Sequence, residues 1–123
     1  MAFSRQPLSD SLNGRGLTPI TSQPGTVIHT VSTATNIKDI IYLWMTNLST
    51  SEYRTMDLYM GGTESNDRQT FVLPPSDGLF ACMPGITLFG GTSTGALGGL
   101  TVYFVGTASN NVKCWGYVDR ITE

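Results

Sequence analysis

The sequence predicts an all-β protein: an antiparallel β-sandwich or jelly roll of seven to eight short strands, preceded by an extended N-terminal arm. Three observations carry this. From residue 26 onward, runs rich in β-branched and aromatic residues alternate with Gly, Pro, Asn and Ser turn signals about every eight to twelve residues. No stretch repeats its apolar residues at helical spacing. Finally, 14 glycines and only 13% charged residues in a chain of 123 suit strands and loops better than surface helices.

Taken in order, residues 1–24 come first. Phe3, Leu8, Leu12, Leu17 and Ile20 fall irregularly among polar residues and prolines, matching neither the strand nor the helix period. This segment is expected to be an extended arm, ordered only when it meets a neighbour. The sandwich domain is then residues 25–123. Residues 27–31 make a short strand. Residues 39–48 (DIIYLWMTNL) are apolar on both faces and so belong at the centre of a sheet. Residues 52–60 set Arg54, Met56, Leu58 and Met60 against Tyr53, Thr55, Asp57 and Tyr59, a half-buried alternation. Residues 69–73 form a strand that Pro74-Pro75 stops. Residues 78–83 form another, stopped by Pro84-Gly85, and 86–89 a short one after it. The Gly-rich residues 90–99 read as a surface loop. Residues 100–121 read as a β-hairpin turning at 107–111. On its return strand Val112, Cys114, Gly116 and Val118 share the small, apolar face, and Lys113, Trp115, Tyr117 and Asp119 the other.

Composition excludes several functions. The net charge is −2, and the seven cations, Arg5, Arg15, Lys38, Arg54, Arg68, Lys113 and Arg120, are scattered. Nucleic acid needs a basic patch, so none is expected as a partner. No apolar run is long enough to span a membrane, and the first residues lack the apolar centre of a signal peptide. Synthesis in a cytoplasm follows, with Cys82 and Cys114 reduced and buried.

Chemistry fails at the inventory of side chains. The single His29 lies within a strand pattern and reads as structural; no Gly-x-Ser-x-Gly elbow is present, and neither cysteine has a nucleophile's flanking motif. One His and two distant Cys cannot build a zinc site. Glu64, Asn66 and Asp67 read as a solvated turn rather than a calcium loop. The chain is therefore expected to be no enzyme and to need no metal or cofactor. The aromatics carry more weight. Tyr42 and Trp44 share one strand face, and Tyr103, Trp115 and Tyr117 belong to the C-terminal pair of strands. Such rings form protein interfaces or stack on sugars, so these five are candidates for an oligomer- or ligand-facing surface.

Residues 5–16 (RQPLSDSLNGRG) and 114–122 (CWGYVDRIT) resemble the ends of small virion proteins of tailed bacteriophages. There an N-terminal arm precedes a β-sandwich, and the chain closes on a G-[FY]-[VI]-x-R-I strand; Gly116, Tyr117, Val118, Arg120 and Ile121 fit that closing pattern. The resemblance implies a non-enzymatic capsid decoration (cement) protein on the surface of the virion, made in the host cytoplasm. It would bridge neighbouring copies of the major capsid protein and form a homo-oligomer, a trimer or dimer. A tail or neck component is the alternative within that class, and a carbohydrate-binding adhesin module the alternative outside it. In the decoration reading the arm grips the capsid through Phe3, Arg5, Leu8, Leu12, Arg15 and Leu17. Removing residues 1–20 is then expected to abolish capsid binding while the domain still folds.

Overall fold

The computed structural model describes residues 2–11, 14–18, 25–61, 65–76, 78–91, 101–106 and 112–123. Their strands are β1 (Ala2–Pro7), β2 (Thr26–Thr30), β3 (Ile37–Asn47), β4 (Arg54–Met60), β5 (Arg68–Leu73), β6 (Leu79–Phe89), β7 (Thr101–Gly106) and β8 (Val112–Thr122). A 3-10 turn, Ser65–Asp67, leads into β5. The strands form two four-stranded sheets: a first sheet in the order β1-β8-β3-β6 and a second in the order β2-β7-β4-β5. Every pairing is antiparallel. The pairs β4–β5, β3–β6, β2–β7 and β1–β8 are nested, as if one long hairpin with its turn after β4 had been rolled into two layers. That is the jelly-roll arrangement, and the expected sandwich is the observed fold.

Alternation along each strand decides what faces the interior. In β3 the inward set is Asp39, Ile41, Leu43, Met45 and Asn47, all buried. Opposite them β8 offers Val112, Cys114 and Val118, with Gly116 directly across from Leu43. A Cβ at Gly116 would stand 2.2 Å from the Tyr42 carbonyl oxygen, so a side chain there would force the two central strands apart. Ile28, Met56, Leu58, Leu73, Val102 and Phe104 close the core from the second sheet. Strand β3 lies between β8 and β6, the central place its two apolar faces predict.

Three expectations are corrected. Residues 100–121 do not form a hairpin: β7 pairs with β2 and β4, whereas β8 pairs with β1 and β3. Apart from β4 and β5 at the turn, consecutive strands of the roll belong to opposite layers, and local alternation carries no information about which layer a strand joins. The expected turn at 107–111 lies outside the described residues, as does most of the 90–99 loop.

Pro84-Gly85 does not end a strand either. Strand β6 runs through it with two register shifts against β3, between Ile41 and Tyr42 and between Leu43 and Trp44. Gly85 takes φ +113°, a value side chains rarely adopt. An edge strand tolerates this, because a proline nitrogen facing away from the sheet removes no ladder bond.

The third correction concerns the arm. Residues 2–7 are strand β1, paired along its length with β8 from Ala2↔Thr122 to Pro7↔Tyr117. Leu8 is 1% exposed in the core, and Leu17 bridges to Cys114 through two backbone bonds of 2.8 Å. The division into an arm of residues 1–24 and a separate body therefore does not hold. The chain's opening segment supplies the edge of the first sheet and part of the interior.

Candidate functional site

The outer face of the first sheet gathers most of the candidate aromatics. Because β3 and β8 pair with Tyr42 opposite Tyr117 and Trp44 opposite Trp115, all four rings stand on the side away from the core. Tyr42 and Tyr117 stack with centroids 4.9 Å apart and planes 25° apart; Trp44 tilts against Tyr117 at 5.7 Å. From β1, the Arg5 guanidinium lies 4.3 Å above the Tyr117 ring, a cation–π contact. It also forks onto Asp119, with Nε to Oδ1 at 2.8 Å and Nη2 to Oδ2 at 3.1 Å. Those hydrogen bonds hold the Asp119 carboxyl below its usual range and raise the Arg5 guanidinium. On the far side, a Cβ on Gly85 would come within 2.9 Å of the Tyr42 ring. A row of guanidinium, ring, ring and peptide thus crosses all four strands. Its two rings turn a face to each other.

The same face continues to one end of the sheet. Register places Phe3, Ile121, Lys38 and Phe89 in one line across β1, β8, β3 and β6. Phe3 and Phe89 are each 63% exposed. Lys38 reaches over the Phe89 ring at 5.9 Å and pairs with Glu123 at 2.7 Å.

The remaining candidates fall elsewhere. Tyr103 is buried in the second sheet beside Tyr59 and Val105, so it does not join the other rings. Leu8 serves the chain's own core, and Leu17 packs against that core. Arg15 is exposed, and its carbonyl accepts from the Ser11 hydroxyl at 2.6 Å. Leu12 lies outside the described residues. Of the six arm residues proposed as a capsid grip, Phe3 and Arg5 stand on the aromatic face.

A buried polar network, not anticipated from the sequence beyond His29 itself, ties the two sheets together. His29 of β2 accepts the Ser9 backbone N–H on Nδ1 at 3.0 Å. Its ring proton therefore sits on Nε2 and is donated to Asp39 Oδ2 of β3 at 2.7 Å. Arg120 of β8 donates to both Asp39 oxygens, each at 2.9 Å. Burial by itself would raise the Asp39 carboxyl. The hydrogen bonds from Arg120 and His29 outweigh it and bring the pKa down to about 2. The signal that could have revealed this is a pair of opposite charges, Asp39 and Arg120, at facing inward positions of two apolar strands.

Ser9, His29 and Asp39 have the composition of a catalytic triad but not its roles. The lone pair that would take a hydroxyl proton is filled by a main-chain amide, and Ser9 Oγ itself accepts from Thr30 N–H at 2.8 Å. The two thiols are equally occupied with packing. Both cysteines are free and buried; burial pushes Cys82 up to about 12 and Cys114 well above its ordinary value, so neither forms a reactive thiolate at neutral pH. Among the described residues no three His, Cys, Asp or Glu side chains converge as a metal site.

Set against protein-family models, curated proteins and solved structures, the chain matches none.

Proposed function

We propose that this chain is a non-enzymatic structural protein of a tailed-phage virion, a decoration protein that stiffens the head by adding buried surface where capsid subunits meet. The observation that carries this reading is unprotected apolar surface on a charge-poor chain. Phe3, Leu48, Tyr53, Val72, Leu79 and Phe89 are all more than half exposed, while only 13% of residues carry charge. A domain that works alone in water keeps such side chains few and surrounds them with charge. The likeness at the two ends of the chain supplies the class of assembly. Jelly rolls serve both as viral coat domains and as lectins, so the fold agrees with this reading without selecting it.

The mode of attachment differs from the arm expected from sequence. Leu8 and Leu17 are committed to the chain's own body, which leaves a rigid surface rather than a flexible staple to make the contact. An adhesin role draws less support, because a sugar stacks on a free ring face, and Tyr42 and Tyr117 turn their faces to each other.

Co-sedimentation with empty heads of the phage tests the proposal. The expected result is saturable binding and heads that survive higher temperature with the protein bound. Protein that stays in the supernatant at saturating concentration overturns it, and binding to isolated tails in place of heads moves the role to the tail or neck.

A further inference from the structure

We infer that the outer face of the β1-β8-β3-β6 sheet is a self-association interface whose occupant is the same face of a second copy. The inference rests on the reading of this chain as a building block, though not on which particle is built. An antiparallel sheet with one wet face normally alternates apolar inward with polar outward. The second sheet does so in part along its β4 and β5 strands, where Thr55, Asp57, Arg68 and Thr70 share the outer face with Tyr59 and Val72. On the first sheet the outward positions hold the contacting rings of Tyr42, Tyr117 and Trp44, together with Trp115 and the exposed Phe3 and Phe89.

The charges on this face argue for a copy of itself as the partner. Arg5 is closed by Asp119 and Lys38 by Glu123, while Lys113, outward on the same face at the other end of β8, is held by the Thr18 hydroxyl. A strongly acidic or basic partner finds only Lys113 without a counter-charge there, whereas an identical face sets no row of like charges against another. The area is sufficient as well. Four strands spaced about 4.8 Å apart and about ten residues long project roughly 600 Å², and the accessible area of that relief is larger. This approaches the ~800 Å² per partner of a stable interface.

Register also allows a closed pairing. A two-fold axis along the strands, between β8 and β3, lays β1 over β6 and β8 over β3 of the other copy. Phe3 then covers Phe89, Tyr117 covers Tyr42 and Trp115 covers Trp44, each contact occurring twice, as an isologous dimer requires. Aromatic side chains on both sides of such a seam suit it, because offset-stacked and edge-to-face pairs are favoured aromatic geometries.

Sedimentation equilibrium on the full chain tests this, since a monomer has a mass of 13.3 kDa. The expected result is a concentration-dependent dimer. Phe3→Arg and Phe89→Arg should each weaken it about tenfold or more, while Val72→Arg, on the outer face of the second sheet, leaves it unchanged. All three positions are exposed, and far-UV circular dichroism confirms that the variants fold. A chain that stays monomeric at about 100 µM, or dimers indifferent to both phenylalanine substitutions, overturns the inference. Head binding measured in parallel keeps the two proposals apart. A monomer that still decorates heads sinks only the interface, and a dimer that ignores heads sinks only the decoration role.

Discussion

Asp39 has no solvent contact, yet it stays ionised because Arg120 and His29 together give its oxygens three hydrogen bonds. Its folded pKa of about 2 lies below the ordinary 3.8. The stabilisation is therefore fully present above about pH 4 and is lost as pH falls through about 2, amounting to roughly 2 kcal/mol. Asp39→Asn keeps the shape but leaves Arg120 without its counter-charge. Unfolding by urea at pH 7 should show a loss of about 3 kcal/mol, and the variant's stability should fall less steeply than the parent's between pH 4 and 2. Equal acid sensitivity in both proteins would place the linkage elsewhere. At this scale the sequence was half legible. A lone histidine between Ile28 and Val31 in a strand pattern reads as a buried side chain, and His29 is 1% exposed. Its partner Ser9 was not legible, because it belongs to a stretch without periodicity that contacts β2 only once the sheets have formed.

Strand β1 shows why an element can be invisible in its own residues. AFSRQP carries no alternating apolar set, and nearly all of it is exposed; as an edge strand it draws its order from the β8 ladder and from Leu8, the residue immediately after it. The central strand β3 was legible for the opposite reason, since its outward Ile40, Tyr42 and Trp44 are half-buried and apolar like the buried residues between them. The hairpin expected from residues 100–121 failed on the same distinction, because strand identity is local and strand partnership is not. Truncation is the sharpest test of β1. Leu8→Ala should cost about 3 kcal/mol, as a buried leucine does, and a chain beginning at residue 10 should lose more than that, since β1 and the Ser9 bond to His29 go with it. Both losses are read from urea midpoints. A truncated chain as stable as the full one would restore the free arm and remove β1 from the fold.

At the scale of the whole molecule, nested pairing makes the order of assembly follow distance along the chain. Strands β4 and β5 are joined by a short connection and pair with each other, whereas β1 must find β8 more than a hundred residues away. Loop-closure entropy falls hardest on the outermost pairs, so the roll should grow outward from β4–β5, with β1–β8 closing last. Folds dominated by such distant contacts refold in roughly milliseconds to seconds. Stopped-flow fluorescence from Trp44 and Trp115 can separate the stages, because a substitution changes the folding rate only if its contacts already exist in the transition state. Leu73→Ala, in the buried half of the β4–β5 pair, should slow refolding, with a smaller effect on unfolding. Leu8→Ala should do the reverse, leaving refolding almost unchanged and accelerating unfolding. The opposite assignment would mean that the chain's two ends meet first and the central hairpin closes around them, a route in which the largest entropic cost comes before any contact exists to offset it.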